Sequence, residues 1–150
     1  MASNHPIGIF DSGVGGLSIW KDIHELLPNE STVYLADSIN APYGDKPQEE
    51  IIKFSINNTE ALIKKGCKII VVACNTATTN AISVLRKNYK LPFIGIEPAT
   101  KPAAIKTITG KIGILATRGT LVSELFSNTS QKYRGQVRIF ETIEMGRAHV

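Results

Sequence analysis

Four short stretches of this chain combine residue types that can do chemistry. In the first, Cys74-Asn75-Thr76-Ala77-Thr78-Thr79 follows directly on the apolar run Lys68-Ile-Ile-Val-Val-Ala73. A thiol placed there heads a helix, where unpaired N–H groups and the dipole stabilise the thiolate and lower its pKa. A buried cysteine can also be no more than a small hydrophobe; the polar run Cys-Asn-Thr straight off an apolar strand favours the reactive reading. Asn75 and Thr76 can cap the helix or donate to a ligand. In the second stretch, Asp11-Ser12-Gly13-Val14-Gly15-Gly16, three glycines let the backbone turn tightly and present N–H groups to an anion, phosphate or carboxylate. Asp11 can orient a neighbouring thiol or relay its proton, or it can cap a helix beginning at Gly15 or Gly16, and the two roles are compatible. Asp37 and the turn Ala41-Pro42-Tyr43-Gly44 form the third stretch, and Thr117-Arg118-Gly119-Thr120 the fourth. For Ser12, Thr117 and Thr120, holding a ligand and capping a turn are equally natural uses of the hydroxyl.

Each stretch follows a short β-branched run. The six runs are 7–10, 33–36, 68–73, 93–96, 111–116 and 137–140. Several are continuously apolar, which predicts parallel strands covered on both faces. Helical periodicity fills the gaps: Leu17, Trp20, Ile23 and Leu27, stopped by Pro28-Asn29; then Ile52, Ile56 and Ile63, stopped by Gly66; then Ala77, Ala81, Val84 and Leu85. Two further helices are predicted over Pro98–Ile108 and Leu121–Tyr133. The repeated β-α order predicts an α/β fold with a mainly parallel sheet, flanking helices and right-handed crossovers. Ligands of such sheets sit at the carboxyl ends of the strands, where the four stretches lie. Glu97-Pro98 is the best internal boundary, dividing residues 1–97 from 98–150.

The bulk numbers narrow the class. The chain has 150 residues, 43% hydrophobic and 20% charged, with a mean hydropathy of +0.01; these are values of a chain that buries a core. No apolar run is long enough to span a membrane, and the start lacks the basic and apolar regions of a signal peptide, so a cytoplasmic location is expected. The net charge of +4 is spread singly, without an arginine cluster or basic-aromatic stripe, which argues against nucleic acid and at most helps to attract a small anion. Cys67 and Cys74 lie at opposite ends of an extended run and are not expected to form a disulfide. No cysteine–histidine spacing matches a metal site, and His5, His24 and His149 are isolated.

A nucleotide site is the competing reading of the glycine loop. Gly13-x-Gly15 with Asp37 at the end of the second strand imitates a dinucleotide fingerprint, but the third glycine position holds Ser18. Asp11 would also place a second negative charge beside a pyrophosphate.

Together, Phe10-Asp11-Ser12-Gly13-Val14-Gly15-Gly16-Leu17, Pro42-Tyr43-Gly44, Ala73-Cys74-Asn75-Thr76-Ala77 and Glu97-Pro98-Ala99 resemble the motifs of glutamate racemases, in that family's order and spacing. The resemblance implies the first lobe of a two-lobed racemase fold, followed by an incomplete second lobe. It implies cofactor-independent interconversion of L- and D-glutamate, in which two cysteines face opposite sides of Cα and move its proton, and a role in supplying D-glutamate to peptidoglycan. Cys74 corresponds to the first cysteine and Asp11 to its acid/base partner. Ser12, Pro42, Tyr43, Gly44, Asn75, Thr76, Thr117 and Thr120 correspond to positions around the substrate's carboxylates and ammonium. The family pattern also implies glutamate as the ligand and a possible homodimer. The Gly-Cys-Thr-His motif of the second cysteine is absent, and Glu141, Glu144 and His149 match no family position. The expectation is therefore a truncated chain that does not racemise by itself. A non-catalytic anion- or amino-acid-binding module is the alternative.

Overall fold

The computed structural model describes residues 4–143; residues 1–3 at the start and Glu144 and His149 in the tail lie outside them. The elements run β1 (Ile7–Asp11), α1 (Leu17–Leu26), β2 (Thr32–Ala36), α2 (Gln48–Lys64), β3 (Ile69–Val72), α3 (Asn75–Asn88), β4 (Phe93–Gly95), α4 (Thr100–Lys106), β5 (Lys111–Ala116), α5 (Arg118–Leu121), α6 (Glu124–Gln131) and β6 (Arg138–Ile143). Strands β2-β1-β3-β4 form one sheet and β5-β6 a second, and every pairing is parallel. The α/β fold with a parallel sheet and flanking helices is thus present, as two sheets.

Burial on both faces explains the unbroken apolar runs. Phe10, Ile70 and Val72 point into a core with Ile51 and Leu62 of α2 and Ala77, Ala81, Ile82 and Leu85 of α3. Their alternates Ile7, Ile9 and Val71 point the other way, against Ile19, Trp20 and Ile23 of α1 and Tyr34 of β2. One helix does not cover that second face entirely, and an apolar cleft remains between Ile19, Ile23 and Leu27 on one side and Ile69, Ile94 and Ile96 on the other. No helix among the described residues is long and apolar enough to cross a membrane.

Three local readings hold or shift for visible reasons. Gly66 does end α2: with φ +77°, it lets its own N–H reach the Ile63 carbonyl and the Cys67 N–H reach that of Leu62, a Schellman cap. The buried face of α2 is turned relative to the predicted stripe of Ile52, Ile56 and Ile63. It consists of Ile51, Ser55, Asn58, Thr59 and Leu62, because Ser55 satisfies its hydroxyl on the Ile51 carbonyl at 2.7 Å and Asn58 serves a polar network described below. The helix predicted over 121–133 is α6, which starts later, at Glu124; Leu121 instead ends the short α5. Ser123 separates the two, donating to the Thr120 carbonyl at 2.6 Å while its oxygen caps the Phe126 N–H.

Candidate active site

The chemistry-bearing residues converge at the carboxyl ends of β1, β3 and β5. Cys74, one residue beyond Ala73, is the N-cap of α3 in an extended conformation, and its sulfur accepts from the Ala77 N–H at 3.4 Å. Neither Asn75 nor Thr76 caps this helix, because the sulfur already holds the open donor. Asn75 is the first helical residue and is exposed. The thiol lies 3.5 Å from Ser12 Oγ, to which it donates. Cys74 is 7% exposed, and burial pushes its thiol above the ordinary range. The hydrogen bonds from the Ser12 side chain, the Ala77 N–H and the Ser12 N–H pull it back, and the Asp11 charge adds to the upward push. The expectation of a depressed value is therefore corrected: the helix-terminal donors are present, but in the closed site desolvation outweighs them.

Asp11 is not itself the N-cap of α1, which is Gly16, but it holds that residue. Its Oδ2 accepts from the Gly16 N–H at 2.9 Å, at the N-cap of α1, while its charge reaches Cys74. A β-carbon on Gly16 would stand within 3 Å of Ala73, Asp11 and the Tyr34 hydroxyl, so only glycine fits where loop and strand ends meet.

The turn after β2 is anchored from below. Tyr43, 1% exposed, donates to Asp37 and accepts from Asn58 Nδ2 at 3.1 Å; Asn40 Nδ2 completes the cluster at 2.9 Å from Asp37 Oδ1. Burial and the Asp37 hydrogen bond drive the Tyr43 phenol strongly upward, so it stays protonated. Its hydroxyl is committed to this network, leaving the main chain of Pro42, Tyr43 and Gly44 as the part turned to other uses. The bond between Ala41 and Pro42 is cis.

Thr76 of α3 is brought together with Thr117 and Thr120 at the start of α5. Thr76 Oγ1 is 2.9 Å from Thr117 Oγ1 and 3.2 Å from Thr120 Oγ1, and the last two are 3.2 Å apart. Thr117 also caps α5. The cluster is clasped at Gly119, whose N–H donates to the Gly44 carbonyl at 2.8 Å. On the other side, Asn80 Nδ2 donates to the carbonyls of Gly119 at 3.0 Å and Thr76 at 2.8 Å. Close approach requires glycine twice: a β-carbon would lie 2.8 Å from Thr117 if placed on Gly44, and 2.9 Å from the Gly44 oxygen if placed on Gly119.

Asn58, Asn80 and Tyr34 were not singled out by sequence. Asn58 carried a signal, a polar residue on a helix face that also holds Ile51 and Leu62, but Asn80 and Tyr34 show their partners only in three dimensions. Cys67 is free and buried at the opposite end of β3.

The strand ends carry a buried thiol, a carboxylate, a glycine loop and a hydroxyl cluster, residue types suited to holding a small carboxylic acid and moving a proton. Residues 7–149 match the family described as Asp/Glu/Hydantoin racemase. The chain is 46% identical over 136 residues to a glutamate racemase of Herpetosiphon aurantiacus, covering 91% of this chain and 54% of that protein. Among solved structures, the Escherichia coli glutamate racemase in complex with L-glutamate and the activator UDP-MurNAc-ala superposes with a TM-score of 0.86 at 35% identity, over 94% of this chain and 54% of that one. The glutamate racemase of Aquifex pyrophilus superposes with a TM-score of 0.85 at 37% identity, over 97% and 57%. The chain spans about half the length of the curated relatives it matches.

Proposed function

The chain belongs to the Asp/Glu/Hydantoin racemase family, and from that premise we propose that it carries one of the two proton-transfer faces of a cofactor-independent glutamate racemase. The observation that carries this reading is the Cys74 sulfur, buried at the head of α3, accepting from the Ala77 N–H and within hydrogen-bond reach of the Ser12 hydroxyl. A resting thiol protonates a carbanion: the S–H bond breaks, a C–H bond forms at Cα, and the sulfur keeps the electron pair. Ser12 and Ala77 then hold the thiolate, and Asp11 is the group beside it that exchanges the proton onward. In the reverse direction the thiolate removes the Cα proton and the pair passes into the adjacent carboxylate. Donors fixed in advance stabilise that developing charge without reorganising. The threonine hydroxyls of residues 76, 117 and 120, the backbone of residues 42–44, and Asn75 form the wall that receives the substrate's carboxylates and ammonium.

Inversion requires an acid on the opposite side of Cα. The two cysteines of this sequence are Cys67 and Cys74, and Cys67 lies at the far end of β3, so we place the opposing thiol outside these 150 residues. The two sheets support reading residues 1–97 as one lobe and 98–150 as the start of another. Supply of D-glutamate for peptidoglycan, a cytoplasmic location and homodimerisation belong to the same proposal.

Two measurements test it. D-glutamate should slow iodoacetamide labelling of Cys74 but not of Cys67 and should raise the melting temperature, whereas NAD should do neither. Labelling of Cys74 that D-glutamate leaves unchanged, with no shift in melting temperature, would overturn the assignment of the substrate to this thiol. Following glutamate by circular dichroism should show no racemisation by the 150-residue chain alone, and measurable turnover would sink the two-base assignment.

A further inference from the structure

We propose that Tyr34 is a positioning residue for the Cys74 thiol, its hydroxyl locking the glycine loop so that Ser12 presents both its N–H and its side chain to the sulfur. Tyr34 sits on β2 opposite Ile9, on the sheet face covered by α1. Its ring packs against the cluster of Ile7, Ile9 and Val71, and its hydroxyl reaches the strand ends, where it donates to the Gly13 carbonyl at 3.2 Å. The same oxygen occupies the space a β-carbon on Gly16 would need, 2.9 Å away. The loop is thus pinned at two places, Gly13 by the Tyr34 phenol and Gly16 by the Asp11 carboxylate at 2.9 Å, and Ser12 lies between Asp11 and the first of them.

A phenol suits this place because it must stay a donor. Burial, helped by the charges of Asp11 and Cys74, pushes the Tyr34 hydroxyl up to about 12, so it keeps its proton at neutral pH. The charges that bear on Tyr34 are those of Asp11 from β1 and Cys74, Asp11 bears on Cys74 as well, and the thiol in turn bears on Tyr43 from the turn after β2. Of the two phenols, Tyr43 is spent on Asp37, and Tyr34 is the one bonded to the loop.

Tyr34→Phe keeps the ring and removes the donor. In the 150-residue chain, site-resolved iodoacetamide labelling across pH should show the Cys74 midpoint moving upward, with its rate below the midpoint falling about two- to tenfold, as one lost hydrogen bond implies. Cys67 serves as the internal reference and should not change. Amides of Gly13–Gly16 should exchange faster, while those of α3 keep their protection. A combined Tyr34→Phe and Ser12→Ala chain should show less than the sum of the two single effects, because both act through the same contact. An unchanged Cys74 profile in folded Tyr34→Phe overturns the proposal. So does a parallel change in Cys67, or protection lost evenly across α1 and α3, since either makes Tyr34 a general packing residue. The inference rests on Cys74 being the working thiol, yet its readout needs no glutamate. A normal Tyr34 effect without protection by D-glutamate would remove the substrate reading alone.

Discussion

Two strands that both end at the site, β3 and β5, are built quite differently. Ile70 and Val72 of β3 are fully buried between helices and neighbouring strands, and the strand pairs on both sides, with β1 and β4. β5 pairs only with β6 among the described residues, its Leu115 is 68% exposed, and Phe140 opposite Gly113 is 52% exposed. The division matches what each delivers. β3 leads into the Cys74 sulfur, whose protonation depends on fixed donors and on exclusion of water, and those demand a rigid, dry surround. β5 delivers hydroxyls, which stay neutral and tolerate a looser support. Position on the β5 side comes from the clasp at Gly119, from Leu125 of α6 packed on the first core, and from a small buried set of Ile112, Phe126 and Val137.

The contrast can be broken most forcefully in the core. Ile70→Ala should cost about 2–5 kcal/mol, the usual range for emptying a buried site, whereas Leu115→Ala should stay within about 0.5 kcal/mol. Urea unfolding of the two variants decides the point, and comparable losses would mean that the β5–β6 sheet carries more of the stability than its exposure implies. Next in size is the clasp. Gly119→Ala drives a methyl group to 2.9 Å from the Gly44 oxygen and should cost about 1–3 kcal/mol as overpacking. Hydrogen exchange should show the loss confined to β5, α5 and α6. An even loss reaching β1 and β3 would show that the two sheets behave as one cooperative unit.

Much of this arrangement was legible before any coordinates. Continuously apolar runs such as 68–73 announce a strand covered on both faces, so the strand ends, and with them Asp11, Cys74 and Thr117, follow from sequence. The meeting of Thr76 with Thr117 and Thr120 does not, since it depends on how one helix lies against the turn after another strand. The later start of the last helix, at Glu124 rather than Leu121, is hidden because Leu121, Leu125 and Phe126 keep helical spacing across Ser123, whose hydroxyl bonds the end of α5 and caps α6. The direction of the Cys74 shift was missed for a physical reason as well: a helix N-terminus is visible in sequence, but the depth of desolvation that opposes it is not.

The finest test of the contrast uses alkaline pH. Cys74, Cys67 and Tyr34 all titrate higher in the folded chain than their ordinary values, with burial as the leading cause in each. For such groups the unfolded chain releases its protons first, so their contribution to stability is complete below the unfolded value, 9.0 for a thiol, and is lost as pH rises through the folded one. The melting temperature should therefore hold level from neutral pH to about 8 and decline above about 9. Two of these groups lie at the glycine loop and the thiol, and Cys67 belongs to the same sheet's core, so the decline originates in the four-stranded sheet. Cys74→Ser should make it shallower, while Leu115→Ala should leave its slope untouched. A decline equally steep in Cys74→Ser would mean that the thiol is no more desolvated by folding than an exposed one, and would remove the main difference drawn here between the end of β3 and the end of β5.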